Sequence, residues 1–153
     1  MKVEVAININ VHKELVWKVI CDVEDSINVI SNILSVKLHH KPSNGLVGLK
    51  WTESRLMFGK EAEETMWITE ALENSYYCTR AESHGSVYLT KLSVETVHGS
   101  TWLSIQFTGY PQSFFAKCMY CLMKPFMQRP MIKALQQDLE DIKEYCEQKY
   151  QPN

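Results

Sequence analysis

The sequence predicts an α+β fold in which a curved, seven-stranded antiparallel sheet packs around a long C-terminal helix, with two short helices after the first strand. Residues 2–10 alternate between polar and apolar side chains, and residues 33–110 return to that alternation, interrupted by turn-forming residues. Residues 111–150 instead repeat their apolar side chains at helical spacing. The terminal helix has an apolar side to bury, and the concave face of the sheet is the surface available to it.

Two short helices are predicted between the first and second strands. Leu15, Val16, Val19 and Ile20 recur at helical intervals within residues 12–22. Asp25 or Ser26 can cap a second helix that ends near Ser31.

The middle of the chain reads as six successive strands joined by short, glycine-containing turns. Such short connections favour antiparallel hairpins in a meander. The strands are predicted near residues 33–41, 48–58, 61–71, 75–83, 86–97 and 101–110.

The hairpin turns predict which side chains face the terminal helix. If Gly59-Lys60 is a two-residue turn, Arg55 pairs with Glu64, and both lie on the inner face of the sheet with Glu53. We expect Arg55 and Glu64 to form a cross-strand ion pair, because a buried charge needs a partner. The same turn pairs Met57 with Ala62, Glu53 with Met66 and Trp51 with Ile68.

Two further turns extend this inner face. A turn at His84-Gly85 pairs Ala81 with Tyr88, Thr79 with Thr90 and Tyr77 with Leu92, and a turn at Gly99-Ser100 pairs Thr96 with Leu103, Val94 with Ile105 and Leu92 with Phe107. Small and hydroxyl side chains then line part of the concave face, which predicts a cavity under the helix. The alternative is a solid core filled by methionines, namely Met119, Met123, Met127 and Met131.

The C-terminal helix has two different halves. Met131, Leu135, Leu139, Ile142 and Cys146 form one apolar stripe, whereas residues 114–127 are too apolar for a single stripe. We expect the prolines at positions 125 and 130 to divide the segment into helices near 112–124 and 126–148, because proline lacks an amide donor and collides with the preceding turn.

Composition and charge exclude several classes of function. The chain has 45% hydrophobic residues and a formal net charge of −2, which is typical of one domain, over residues 1–150, that does not bind nucleic acid. Its basic residues are scattered, and no uninterrupted apolar run is long enough for a signal peptide or a transmembrane segment.

The cysteines predict a reducing environment. The chain has five cysteines, an odd number, and all of them lie inside apolar periodic segments. This pattern favours free thiols in a cytoplasmic protein. Cys118 and Cys121 form a C-x-x-C motif, but the sequence lacks two further ligands at zinc-site spacing, so we interpret the pair as helix packing. We expect no metal and no cofactor, and either a monomer or a homodimer.

Several local sequences resemble the SRPBCC superfamily. They are the opening Val-Glu-Val-Ala-Ile-Asn-Ile, the helix Lys-Glu-Leu-Val-Trp-Lys-Val-Ile-Cys-Asp from Lys13, the Gly48-x-x-Trp51 start of the third strand, and Gly59-Lys-Glu-Ala-Glu-Glu-Thr-Met-Trp-Ile-Thr-Glu70. They are similar to bacterial polyketide cyclase/dehydrase-like sequences, and the element order is that of the helix-grip fold, which START lipid-transfer domains share. The resemblance implies a pocket for a hydrophobic or amphipathic molecule between the sheet and the C-terminal helix.

Three functions remain open from the sequence. The first is the binding of a hydrophobic small molecule or lipid, with transport of that ligand as a variant of the same function. The second is a polyketide cyclase/dehydrase-like enzyme, in which Arg55 polarises a substrate oxygen while Glu64 or Glu53 moves a proton. The third is binding to a membrane surface or a protein partner through residues 114–127.

The predicted ligand-binding side chains come from the inner face of the sheet and from the terminal helix. No nucleophile elbow, Gly-rich phosphate loop or H-E-x-x-H motif is present in the sequence. The ligand-binding residues are predicted to be Trp51, Arg55, Glu64, Met66, Tyr77, Thr79, Tyr88, Thr90, Phe107, Phe115, Met119, Leu122, Met131 and Leu135.

Overall fold

The computed structural model describes residues 1–150 and has the predicted order of elements. The strands are β1 (Lys2–Ile9), β2 (Ile33–His40), β3 (Lys50–Met57), β4 (Lys60–Leu72), β5 (Tyr76–Ser83), β6 (Ser86–Val97) and β7 (Ser100–Pro111). The helices are α1 (Lys13–Cys21), α2 (Ser26–Val29) and α3 (Phe114–Lys149), with a single 3₁₀ turn at Val23–Asp25. The predicted α+β fold class is confirmed.

All seven strands form one antiparallel sheet in the order β1-β7-β6-β5-β4-β3-β2. The six-strand meander from β2 to β7 is therefore sequential, and β1 pairs with the last strand of the meander rather than with the next strand in the chain. This topology leaves β1 and β2 at opposite edges of the sheet, with α1 and α2 in the connection between them.

The core lies where the second half of α3 packs on the sheet. Leu139, Ile142 and Cys146 are almost fully buried, as the predicted stripe requires. They pack in one apolar cluster with Val5 on β1 and Leu103 on β7. The C-terminal half of α3 is thus the part of the helix that stabilises the fold by apolar burial.

Two hairpin registers differ from the prediction by two residues. The central turn residues are Phe58-Gly59 and His98-Gly99, so that Met57 pairs with Lys60 and Val97 pairs with Ser100. A type I′ turn needs positive φ at both central residues; Phe58 has φ 51°, Gly59 78°, His98 50° and Gly99 78°. Because the shift is even, every side chain keeps its predicted face, and only its cross-strand partner changes. The predicted register at His84-Gly85 is confirmed.

The prediction that prolines divide the terminal helix is wrong. α3 runs without interruption through Pro125 and Pro130. Each proline deprives a carbonyl one turn earlier of its amide donor, at Cys121 and Phe126. Those two residues and both prolines are exposed, so water can satisfy the carbonyl groups.

Within residues 1–150, no helix is both long enough and apolar enough to span a lipid bilayer.

Candidate functional site

A cavity of about 490 Å³ lies between the concave face of the sheet, the α1–α2 segment and α3. Its wall is largely apolar, with a small group of charged side chains on one side. It reaches the surface near the tips of two hairpins, where Phe58, Ala62, Glu63 and His84 line it and are exposed. The prediction of a cavity rather than a solid core agrees with this geometry.

The structure brings most of the predicted site residues together in this cavity. Those that line it are Trp51, Glu53, Arg55, Glu64, Met66, Tyr77, Thr79, Tyr88, Thr90, Phe107, Met131 and Leu135. Phe115, Met119 and Leu122 do not line it; all three lie on an exposed face of α3. These three residues lie on the predicted helix, but on the face of it that is directed away from the sheet.

The α1–α2 segment contributes a wall that sequence reasoning missed. Val19 and Ile20 of α1, and Val29 and Ile30 at the end of α2, line the cavity. The Tyr77 hydroxyl donates a hydrogen bond of 3.0 Å to the carbonyl of Ile20, which fixes the end of α1 against β5. The signal for this wall was the helical spacing of the apolar residues in α1, which requires a surface to cover.

The wall formed by β6 and β7 keeps an aromatic pair close to the sheet. The rings of Tyr88 and Phe107 stack with centroids 5.8 Å apart. A side chain at Gly109 would place its Cβ 3.2 Å from Cδ1 of Tyr88. Glycine at this position therefore leaves room for the Tyr88 ring to lie over the strand. Thr79 and Thr90 line the adjacent wall with small side chains, which leave space in the cavity.

The charged group is centred on Arg55. Its Nε donates a hydrogen bond of 3.1 Å to Glu53 Oε1, and its Nη1 donates one of 3.0 Å to Asp138 Oδ2 on α3. Trp51 Nε1 donates a longer one, 3.4 Å, to Glu53 Oε2. The predicted cross-strand pair of Arg55 and Glu64 is wrong, because Arg55 is opposite Ala62 and Glu64 is opposite Glu53 in the actual register.

Asp138 was missed by sequence reasoning and is the most unusual member of the group. It is only 5% exposed, and its Oδ1 has no hydrogen-bond partner among residues 1–150. The signal was present in the sequence: Asp138 is three residues after Leu135 and four before Ile142, and thus on the apolar stripe of α3. A carboxylate at that position needs a specific partner, and Arg55 is that partner.

Burial changes the acid–base properties of this group. Desolvation raises the pKa of Glu64, the nearby Glu53 carboxylate raises it further, and Arg55 only partly opposes them. Desolvation also raises the pKa of Asp138, even though the Arg55 charge and hydrogen bond act in the other direction. Burial disfavours the charged guanidinium of Arg55, but Asp138 and Glu53 outweigh it and raise the pKa of Arg55. The cavity therefore holds one firmly charged cation beside carboxyl groups that take up protons more readily than usual.

The two cysteines of the C-x-x-C motif lie away from the cavity lining. Cys118 and Cys121 are both exposed on α3, so the interpretation of this pair as helix packing is not supported. Among residues 1–150, no cluster of three or more His, Cys, Asp or Glu side chains is arranged to hold a metal ion.

Solved structures with the same architecture cover nearly the whole chain. The di-domain ARO/CYC BexL from the BE-7585A biosynthetic pathway has a TM-score of 0.80 at 12% identity, over 99% of this chain and 51% of that chain. Major latex-like protein 151 from Panax ginseng has a TM-score of 0.73 at 11% identity, over 95% of this chain and 96% of that chain. A START superfamily protein from Mycobacterium smegmatis has a TM-score of 0.63 at 11% identity, over 89% and 97%. No protein-family model and no curated protein matches the sequence.

Identities this low establish the fold and leave the ligand and the chemistry to be argued from the site. The TM-scores of 0.63 to 0.80 over 89% or more of the chain show that these structures share its overall fold. The resemblance found in the sequence is thereby confirmed at the level of the fold: the chain has the helix-grip fold.

Proposed function

We propose that the protein binds a hydrophobic or amphipathic small molecule or lipid in the cavity between the sheet and α3. The observation that carries this proposal is an apolar cavity of about 490 Å³ with one localised charged group. Binding sites for small molecules are commonly clefts of about 300–1,000 Å³ with a few polar groups that fix orientation. An apolar ligand fills the volume that the protein's own side chains leave open.

The charged group favours a ligand with one polar end. Asp138 Oδ1 is buried without a hydrogen-bond partner among residues 1–150, and leaving such an atom unpaired is costly. A hydroxyl or carbonyl group of a ligand can supply the missing hydrogen bond, because a protonated Asp138 donates and an ionised one accepts. Arg55 lies beside it and favours a ligand oxygen with partial or full negative charge.

Native mass spectrometry of the purified protein tests this proposal directly. We expect a bound mass that is lost when the protein is denatured. Thr90→Leu adds apolar volume to the cavity wall and should reduce that bound mass. Thr96→Leu is the matched control, because Thr96 is exposed near the end of the same strand. Protein that is empty after purification and does not bind a fluorescent fatty acid such as parinaric acid would contradict the proposal.

A polyketide cyclase/dehydrase-like reaction is the second candidate, and Glu64 is the observation that favours it. A carboxyl group with a raised pKa can act as a general acid or base near neutral pH, and Glu64 lines the same cavity as the Arg55 guanidinium. Arg55 then polarises a ligand oxygen while Glu64 moves a proton. Under this candidate, Glu64→Gln retains ligand binding but abolishes the conversion of an added polyketone to a product lighter by one water. A bound polyketone that wild-type protein leaves unchanged would count against the enzyme.

A further inference from the structure

The first half of α3 carries an apolar stripe that faces solvent. Phe115, Met119, Leu122 and Phe126 follow one another at the i, i+4, i+7, i+11 spacing of a single helix face. Phe115 is 74% exposed, Leu122 67% and Phe126 73%. Phe114, before this stripe, is also exposed. We call these five residues the outer stripe.

A different face of the same segment is fixed to the body of the protein. Ala116 is buried, and Ser113 caps the helix by accepting a 3.1 Å hydrogen bond from the Ala116 amide. The carbonyl of Gly85, in the β5–β6 turn, accepts hydrogen bonds from the amides of Gln112 and Ser113 at 2.8 and 3.2 Å. Met127 lines the cavity from the inner face of α3. These contacts hold the segment in place and leave the outer stripe turned outward.

The helix segment that carries the outer stripe bears charge of a single sign. Residues 112–137 contain four cations and no aspartate or glutamate, although the chain as a whole has a net charge of −2. The cations are Lys117, Lys124, Arg129 and Lys133. None of them forms a salt bridge within the part of the chain that the structure describes. An apolar helix face with unneutralised cations matches the interface of an anionic bilayer, where apolar groups enter the acyl boundary and cations meet lipid phosphates.

The same charge pattern disfavours a second copy of the chain as the occupant. In a twofold-symmetric dimer the same patch meets itself. Arg129 and Lys133 continue the helix face of the outer stripe, so in such a dimer they would share one interface with the same two cations of the second copy. The 112–137 segment has no acidic residue to compensate them.

We propose that the outer stripe docks the protein on the surface of a membrane that contains anionic phospholipid. The helix lies in the plane of the interface with Phe115, Leu122 and Phe126 in the acyl boundary. The protein does not cross the bilayer in this arrangement. The proposal rests on the outer face of α3 alone and holds whether or not the cavity binds a ligand.

Flotation with vesicles tests the proposal. The full chain should float with vesicles of phosphatidylcholine and phosphatidylglycerol, float poorly with phosphatidylcholine alone, and lose binding as salt is raised. Phe115→Ser with Leu122→Ser should abolish flotation without unfolding the protein, because both side chains are already exposed. Leu72→Ser with Val47→Ser is the control, since it removes two apolar side chains that are more than half exposed, 56% and 53%, from other parts of the surface.

A second pair of variants isolates the charge. Arg129→Glu with Lys133→Glu, at two exposed positions on the helix face of the outer stripe, should weaken binding to the anionic vesicles by about tenfold or more, from the contribution of each basic residue near such a surface. Lys18→Glu with Lys37→Glu changes the net charge of the chain equally at two other exposed positions. We expect that control to keep most of the binding.

Three outcomes would overturn membrane docking. One is a parent protein that stays unbound in the presence of anionic vesicles. Another is equal binding to neutral and anionic vesicles. The third is a concentration-dependent dimer, seen in analytical ultracentrifugation, that the Phe115→Ser and Leu122→Ser changes dissociate; the outer stripe would then be a self-association surface.

Discussion

Replacing Arg55 by methionine leaves two buried carboxyl groups without the cation that both of them contact. Arg55 donates to Glu53 at 3.1 Å and to Asp138 at 3.0 Å. Methionine fills much of the space of the arginine stem but supplies no donor. We therefore expect a loss of stability that comes from the carboxyl groups more than from lost packing.

The magnitude follows from the burial of the three side chains. Removing one partner of a buried ion pair costs about 3–5 kcal/mol. The lower end of this range applies here for two reasons. The side chains of Arg55 and Glu53 are still 16% and 13% exposed, and a carboxylate that loses its cation can take up a proton. A loss of about 3 kcal/mol corresponds to a fall in Tm of about 6–12 °C for a chain of this length.

Urea unfolding followed by circular dichroism, at pH 7 and at pH 5, measures this cost. The pKa of Asp138 is already raised by desolvation in the wild type, and loss of the opposing Arg55 charge raises it further, so the folded variant gains more stability than the wild type as pH falls. The difference between wild type and variant should thus be largest at pH 7 and smaller at pH 5. Arg80→Met is the matched control, because Arg80 also pairs with a glutamate two residues away on a strand, at 2.7 Å, but the two side chains are 32% and 53% exposed. That control should cost no more than about 1 kcal/mol.

Two results would refute this reasoning. In the first, Arg55→Met costs no more than Arg80→Met. In the second, the cost of Arg55→Met is the same at both pH values, which would mean that the carboxyl groups are not its source.

Three further predictions concern other parts of the fold. Glu64→Gln should stabilise the protein near neutral pH. The pKa of Glu64 is raised in the folded state, so the wild type loses stability as pH rises above the ordinary value of 4.5. A free energy of unfolding that depends on pH identically in both proteins from pH 4 to 8 would contradict this. Leu139→Ala should cost about 2–5 kcal/mol in the free energy of unfolding, since it empties a site that is 1% exposed; a cost below that range would show that the core collapses around the site. Gly85→Ala should destabilise the protein more than Gly99→Ala, although both glycines have positive φ. A Cβ at Gly85 would lie 2.4 Å from Ser113 Oγ, whereas one at Gly99 would meet no atom within 4 Å. Equal Tm values for the two variants would exclude this clash.

The periodicity of the sequence was sufficient to predict the fold and most of the cavity wall. Alternation on β3 placed Trp51 and Arg55 on the inner face, and the even size of the register error left them there. The error itself came from the Phe58-Gly59 turn, where a bulky residue adopts the positive φ that is normally left to glycine, asparagine or aspartate. No local pattern in the sequence indicates that exception.

The helix was harder to predict because tertiary and solvent effects decided its course. Pro125 is tolerated within the helix because the carbonyl group that it leaves without an amide donor belongs to an exposed residue. The presence of a proline in the sequence does not indicate whether that carbonyl group will be exposed. Phe115 was assigned to the cavity on the expectation that apolar residues are buried, and the structure instead leaves it outside. Asp138 could have been found as a charge within an apolar stripe, but its pairing with Arg55 depends on a contact 83 positions away in the sequence.

The pairing of β1 with β7 has a consequence for how the protein folds. Val5 pairs with Ile105, so this contact must close a loop of about 100 residues, whereas each hairpin of the meander closes over a few. We expect the hairpins to form early and the docking of β1 to complete the sheet late. No residue of β1 lines the cavity, yet α3 packs against this strand through the shared core. A destabilising substitution in β1 would then mainly speed unfolding, and so shorten the lifetime of a cavity whose wall it does not touch.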